Sequence, residues 1–325
     1  MEPFEYANPS TLDEAVALLA PRWGQTDVLA GGTDLVSLIK DYILTPKRLV
    51  NIKNIKELEG IQKSGDGLRI GALVTMDELA KTPDVRTAYP ALADAAQGIP
   101  SPQIRHMGTA GGDLCQRPRC WYFRNGFGLL AMKDGKSLVP GGENQYHAIF
   151  GGGPAYFVSA SSLGPALVAL GARVKLVSAK GRREIPAKSF FLAPKDENTR
   201  EIALRPDEIL TEILVPAPTA LSATYEVRQK EALDWPLAAA SVALTLKGNV
   251  VATAKVVMGH VAPVPWESPA AGKMLAGHAV TAATAEAAAN AAVDGAHPLS
   301  RNAYKVQLAK VAVKRALLEA AKRKA

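Results

Sequence analysis

Two glycine pairs, Gly31-Gly32 and Gly111-Gly112, are the residues of this chain whose type and setting point to chemistry. The first stands between a strand-like segment, Asp27 to Ala30, and the polar residues Thr33 and Asp34; the second lies between Thr109 and Asp113. Glycine has no Cβ to bar a close approach, so successive backbone N–H groups can converge on an anion. A helix opening after Gly32, with Leu35, Leu38 and Ile39 on its period, adds the positive end of its dipole. Two such turns in one domain could grip a pyrophosphate from opposite sides. Taken singly, each pair reads more readily as a plain tight turn.

Other chemistries find less support. No G-x-G-x-x-G follows a strand, and Gly135-Lys136-Ser137 has Leu130 where a P-loop places its cradle glycine. No G-x-S-x-G anchors a serine nucleophile. Cys115 and Cys120, with His106 and His147, fall short of a clear tetrahedral zinc set and read as two semi-buried thiols. Asp34 and Asp113 read as helix caps or partners of a cofactor hydroxyl, not as an acid–base pair. No catalytic side chain and no metal site is expected.

The elements that must position the turns follow from periodicity. Thr11 and Glu14 form a capping-box pattern ahead of a helix carrying Leu12, Ala15, Val16 and Leu19. Arg48 to Ile52 and Leu68 to Leu73 read as strands, and Thr75 with Glu78 as a second capping box. Pro90 to Gln97 is a short Ala-rich helix, and residues 114–154 form a long Gly-rich stretch of the kind that is usually functional or faces a partner. A strand Tyr156 to Ser159, a helix Pro165 to Leu170 and a strand Arg173 to Val177 follow. Beyond Pro216 and Pro218 the pattern changes to antiparallel strands, Tyr225 to Arg228, Ala239 to Lys247 and Val250 to Met258, with a hairpin turn at Lys247-Gly248-Asn249. Helices over Ala282 to Val293 and Ala303 to Lys322 close the chain.

Composition bounds the partners. The 325 residues carry a net charge of +7, but the basic residues are scattered, apart from one cluster at Lys322, Arg323 and Lys324, and aromatics are few. Nucleic acid is therefore not expected. The longest apolar run, Pro236 to Leu246, stops at Lys247, so no membrane span is expected. Acidic residues early in the chain, Glu2, Glu5 and Asp13, argue against a secretory leader, and the expected compartment is the cytoplasm. Export alongside a signal-bearing partner subunit, into the periplasm, is the alternative.

Taken together, several segments resemble the FAD-binding subunit of the xanthine dehydrogenase, or molybdenum hydroxylase, family. They are Ala30-Gly31-Gly32-Thr33-Asp34-Leu35, the run Gln103 to Asp113, Asn51-Ile52 with Ile55 and Leu58, Ile70-Gly71-Ala72 with Thr75, Ser161 to Leu167, Glu208 to Ile213 and Gly259 to Pro265. The resemblance runs in order from about Phe4 to Leu318. It implies an α+β chain: a two-subdomain FAD-binding fold over residues 1–60 and 61–217, then a C-terminal antiparallel sheet with helices over 218–325. It implies that Leu29 to Leu35 and Thr109, Ala110, Gly111, Gly112, Asp113 and Leu114 wrap the FAD pyrophosphate, and that Ile209 and Leu210 pack near the flavin ring. A branched side chain at Gly32 or Gly111 is then expected to fill the cradle. Ser162 stands where many members have an aspartate, so a charged contact to the cofactor is expected to be missing.

The resemblance also implies partners: a 2Fe–2S iron–sulfur subunit, a molybdenum cofactor subunit, and an external acceptor that takes electrons from the flavin. An assembly subunit with a redox-silent flavin and a stand-alone flavin oxidase are the alternatives. The stretch Leu114 to Arg124 is similar to an insertion that holds a four-iron cluster in a subgroup including aldehyde oxidoreductases. Such a cluster needs four thiolates and this chain has two cysteines, so no cluster is expected here. Arg117, Arg119 and Arg124 beside Trp121, Tyr122 and Phe123 are expected to suit an interface.

Overall fold

A computed structural model of the chain describes residues 1–218, 221–229 and 235–323. Near the N-terminus, strands Glu5–Ala7, Arg48–Asn51 and Thr26–Leu29 form a parallel sheet with Arg48–Asn51 in the middle. Parallel pairing needs crossovers, and the helices Leu12–Ala17 and Leu35–Lys40 supply them. The Thr11 capping box forms as expected; at Thr75 only half of one forms, with the hydroxyl accepting from the Glu78 N–H.

A second, five-stranded sheet runs Ile61–Ser64, Gly67–Gly71, Ile209–Val215, Arg173–Ser178, Gly181–Pro186. Its central strand is the last in sequence, because Ile209–Val215 is apolar enough to be covered on both faces. A third sheet, Leu221–Val227, Ala238–Lys247, Val250–Gly259 and Trp266–Glu267, is antiparallel throughout, and its central hairpin turns at Gly248 with φ +61°. Helix Leu163–Ala169, wholly buried, lies between the second and third sheets. A Cβ at Gly259 would come within 2.7 Å of Pro165 Cγ, so glycine sets that close approach.

The helix Tyr304–Lys322 packs on the third sheet, and Ala282–Ala292 packs against that helix and against helix Pro269–Leu275. Their buried positions, Ala285, Ala288, Ala289 and Ala292 on one and Ala309, Ala312, Ala316 and Ala320 on the other, keep the helical period. Small side chains at these positions let the backbones approach closely. At its end Arg323 makes a bidentate pair with Asp94, at 2.8 and 2.9 Å, which ties the last helix to the helix Pro90–Gln97. Lys324, of the expected basic cluster, lies outside the described residues.

Two expectations change. Tyr156 to Ser159 is not a strand but an extended tie: Tyr156 C=O accepts from Ala148 N–H, and Ser159 N–H donates to Ala262 C=O. The stretch 114–154 is not a bare loop either. It holds the helix Trp121–Arg124 and a short hairpin, Met132–Lys133 with Lys136–Ser137. Phe123, Leu129, Leu130 and Phe157 build a small core of their own against Leu38. Residues far apart in sequence were needed to complete that core, so periodicity within the stretch gave no sign of it.

Candidate functional site: a cleft between the two glycine turns

The first glycine turn packs against the helix end that leads into the second. A Cβ at Gly31 would lie 1.7 Å from the Met107 carbonyl oxygen, at the end of helix Pro102–Met107, so glycine is imposed there by protein backbone. Gly32 has φ +73°, in the left-handed region that glycine tolerates best. The cleft that opens around them has two chambers, which share Thr33, Asp34, Thr109, Gly112 and Gln116.

The turns differ in what they can offer. Among the described residues, no protein acceptor takes the backbone N–H of Gly31, Gly32, Thr33, Asp34 or Leu35. Gly31, Gly32, Asp34 and Leu35 are half-buried and Thr33 is exposed, so these N–H groups stand open to an acceptor from outside the chain. The following helix, Leu35–Lys40, has only six residues, so the run of turn amides is the stronger feature. The second turn has no such run. Ala110 N–H donates to Val74 C=O at 2.7 Å, Gly111 N–H to Ala72 C=O at 2.9 Å, and Gly112 N–H to Thr109 Oγ1 at 3.1 Å. This corrects the expectation that both turns present amides to a phosphate. The second is a wall, pinned to the five-stranded sheet. Gly111 lines the cleft, but what demands glycine there is that a Cβ would meet Ala72 Cβ at 2.8 Å.

The expected residues divide accordingly. Ala30, Gly31, Gly32, Thr33, Asp34, Leu35, Thr109, Gly111, Gly112, Ile209 and Leu210 line the first chamber; Asp113 and Ser162 line the second. Leu29, Ala110 and Leu114 do not line either chamber; Ala110 and Leu114 are buried in the core.

Of the two aspartates expected to cap a helix, Asp113 does so and Asp34 does not. Asp34 occupies the N-cap position of its helix without capping it. Its Oδ1 instead pairs with Arg119 at 3.0 Å and Arg124 at 2.7 Å, and its Oδ2 accepts from Arg117 N–H at 2.8 Å. Asp113 accepts from Ser161 Oγ at 2.5 Å, Ser162 N–H at 3.1 Å and Leu163 N–H at 3.0 Å. It thereby caps the buried helix Leu163–Ala169 from outside, and Ser162 does not cap it. Burial pushes the Asp113 carboxyl up, while those three donors pull it back toward the charged form.

The arginine-rich segment folds inward and is not a free docking face. Arg117 pairs with the buried Glu201 and lies 4.8 Å over Phe123, while Arg119 stacks 4.5 Å over Trp235. Residues with no sequence signal complete the cleft: Arg200 stacks 4.2 Å over Trp23, and Asp27, whose carboxyl is pushed up by burial, stands beside Arg200 and Arg117. They come from separate turns, and no motif spacing links them.

Cys115 lines the first chamber, where burial pushes its thiol up to about 12, so it is no thiolate. Cys120 lines a different cavity, with its Sγ 3.1 Å from His147 Nε2. Among the described residues, no group of three His, Cys, Asp or Glu side chains is placed to hold a metal ion.

A helix-flanked cleft with a run of free turn amides at its centre and a chamber on either side defines a dinucleotide-binding protein. The family model described as the FAD binding domain in molybdopterin dehydrogenase matches residues 2–218, and the one described as the CO dehydrogenase flavoprotein C-terminal domain matches residues 223–320. The carbon monoxide dehydrogenase medium chain of Hydrogenophaga pseudoflava is 32% identical over 320 residues, 97% of this chain and 96% of that one. The aldehyde oxidoreductase FAD-binding subunit of Escherichia coli K12 is 31% identical over 333 residues, 98% of this chain and 99% of that one. A solved carbon monoxide dehydrogenase from Hydrogenophaga pseudoflava, lacking the Mo-pyranopterin moiety of its cofactor, superimposes with a TM-score of 0.77 at 30% identity, covering 100% of both chains. The chain belongs to this family and is an FAD-binding oxidoreductase subunit of the molybdenum hydroxylase type.

Proposed function

We propose that this chain takes electrons from an iron–sulfur subunit, in a complex with a molybdenum cofactor subunit, and passes them through FAD to an external acceptor. One observation carries the placement of the cofactor: the five successive N–H groups from Gly31 to Leu35 have no acceptor among the described residues. They fit a pyrophosphate, and the chambers on either side fit the two arms that leave it. Bound there, FAD supplies a centre that accepts and returns one or two electrons.

The chain's own part is to hold and orient. Asp34, locked by Arg119 and Arg124, sets the turn; the pinned second turn closes the cleft; Ile209 and Leu210 offer an apolar wall. Ser162 lines the second chamber and offers the cofactor no charged contact there. The chain is proposed to carry no iron–sulfur cluster, since its two cysteines line different cavities and Cys115 stays protonated. The test is an absorbance spectrum of the purified chain with extracted flavin and iron assayed. One FAD per chain without iron is the expected result; absence of flavin after incubation with FAD overturns the reading.

A further inference from the structure

Beside the cofactor cleft lies a second cavity of about 280 Å³, walled off by the stacked Arg119 and Trp235. The proposed FAD site does not use it. Three features on its surface call for a ligand. Lys305, 1% exposed, lines it; the Nζ donates to the carbonyls of Tyr146 at 3.2 Å, His147 at 3.1 Å and His260 at 2.7 Å. All three of its protons are thus placed, yet among the described residues no carboxylate pairs with the charge. Burial pushes the Lys305 ammonium down to about 7, and an anion nearby would favour its charged form.

The two histidines supply hydrogen-bond donors. His260 is 3% exposed, its Nε2 has no partner, and its backbone has φ +59°, a conformation that costs a non-glycine residue energy. His147 is equally buried. Its Nε2 lies 3.1 Å from Cys120 Sγ, and its Nδ1 has no hydrogen-bond partner among the described residues. The other walls are aromatic: Trp121 and Tyr146 meet edge to face at 5.5 Å, with Phe157 and Trp235 beside them.

We infer that this cavity binds a small aromatic carboxylate, its ring among Trp121, Tyr146, Phe157 and Trp235 and its carboxylate toward Lys305 and the free nitrogens of His147 and His260. Benzoate is the probe, and neutral benzamide, of the same shape, is the control. Calorimetric titration of the FAD-loaded full chain should show saturable benzoate binding, with benzamide at least tenfold weaker and no FAD displaced. His260→Asn, which suits the left-handed backbone, and Lys305→Met should each weaken benzoate at least tenfold while FAD content stays the same. If Lys305→Met does not fold, His260→Asn decides alone. Glu231→Gln combined with Asp234→Asn should leave benzoate affinity unchanged; a tenfold gain would mean that a carboxylate of this chain is the occupant, and would overturn the proposal. So would the absence of saturable benzoate binding, equal affinity for benzamide, unchanged affinity in His260→Asn, or release of FAD on titration.

Discussion

Replacing Gly31 by alanine puts a methyl carbon 1.7 Å from the Met107 carbonyl oxygen and 2.7 Å from its carbon. Ordinary contact needs roughly twice the shorter distance, and the obstacle is backbone at a helix end, held by the Gly108 N–H to Ile104 C=O bond. Overpacking costs about 1–3 kcal/mol where side chains can yield; with backbone on both sides, about 3 kcal/mol is expected. In a chain of this length that lowers Tm by about 5 °C. The shift also spoils the convergence of the turn amides. Losing one charge-assisted hydrogen bond, about 2 kcal/mol, weakens FAD binding about thirtyfold. Gly32→Ala is the internal control. There the nearest atoms are the side-chain carbons Val36 Cγ2 at 3.1 Å and Leu29 Cδ1 at 3.3 Å, which can give. Its main cost is the left-handed backbone, about 1 kcal/mol. The assay is thermal unfolding of each variant with and without FAD, plus FAD titration by flavin fluorescence. If Gly31→Ala melts like wild type without FAD, the clash with Met107 is not what demands glycine, and the reasoning fails.

Gly111→Val should destabilise the FAD-free chain by more than 2 kcal/mol, because the new side chain meets Ala72; a wild-type apo melting curve with weakened FAD binding would restore the cradle role for that glycine. Asp34→Asn leaves Arg119 and Arg124, both mostly buried, without their carboxylate. A loss of about 2 kcal/mol in urea unfolding is expected after discounting for partial exposure, and less than 0.5 kcal/mol would rank the pairs with surface ion pairs. Burial and the nearby Lys305 charge hold His147 down at about 4, against an ordinary 6.5. Between those values the unfolded chain binds the proton and the folded one does not, so stability falls as pH drops from 6.5 to 4. His147 contributes about 3 kcal/mol of that loss; the buried His260, held down at about 3, adds to it over the same window, so His147→Gln should make this part of the pH profile shallower, and parallel profiles would exclude His147 as a contributor.

Much of this molecule was legible in the chain itself. Gly31 and Gly32, the alternation of strands and helices around them, the hairpin at Gly248 and the Ala-rich helices of the C-terminal part are local matters. Periodicity, a missing Cβ and turn chemistry act over a few residues, so they are written where they act. Whether a turn amide is free or already bonded is not local. Gly31-Gly32 and Gly111-Gly112 look alike in sequence, and only the arrival of Ala72 and Val74 against the second pair separates a cradle from a wall. The same holds for Asp34 and Asp113, whose partners lie some 50 to 90 residues away, and for the inward-folded Arg117, Arg119 and Arg124. Lys305 gave no signal, and nothing local showed that His147 and His260 would meet it in one cavity, since an unpaired buried charge exists only once the chain has closed around it. Short-range sterics and periodicity thus determined the elements and the first glycine turn; desolvation and long-range hydrogen bonding, which depend on what surrounds each group, decided which polar atoms were left free to bind.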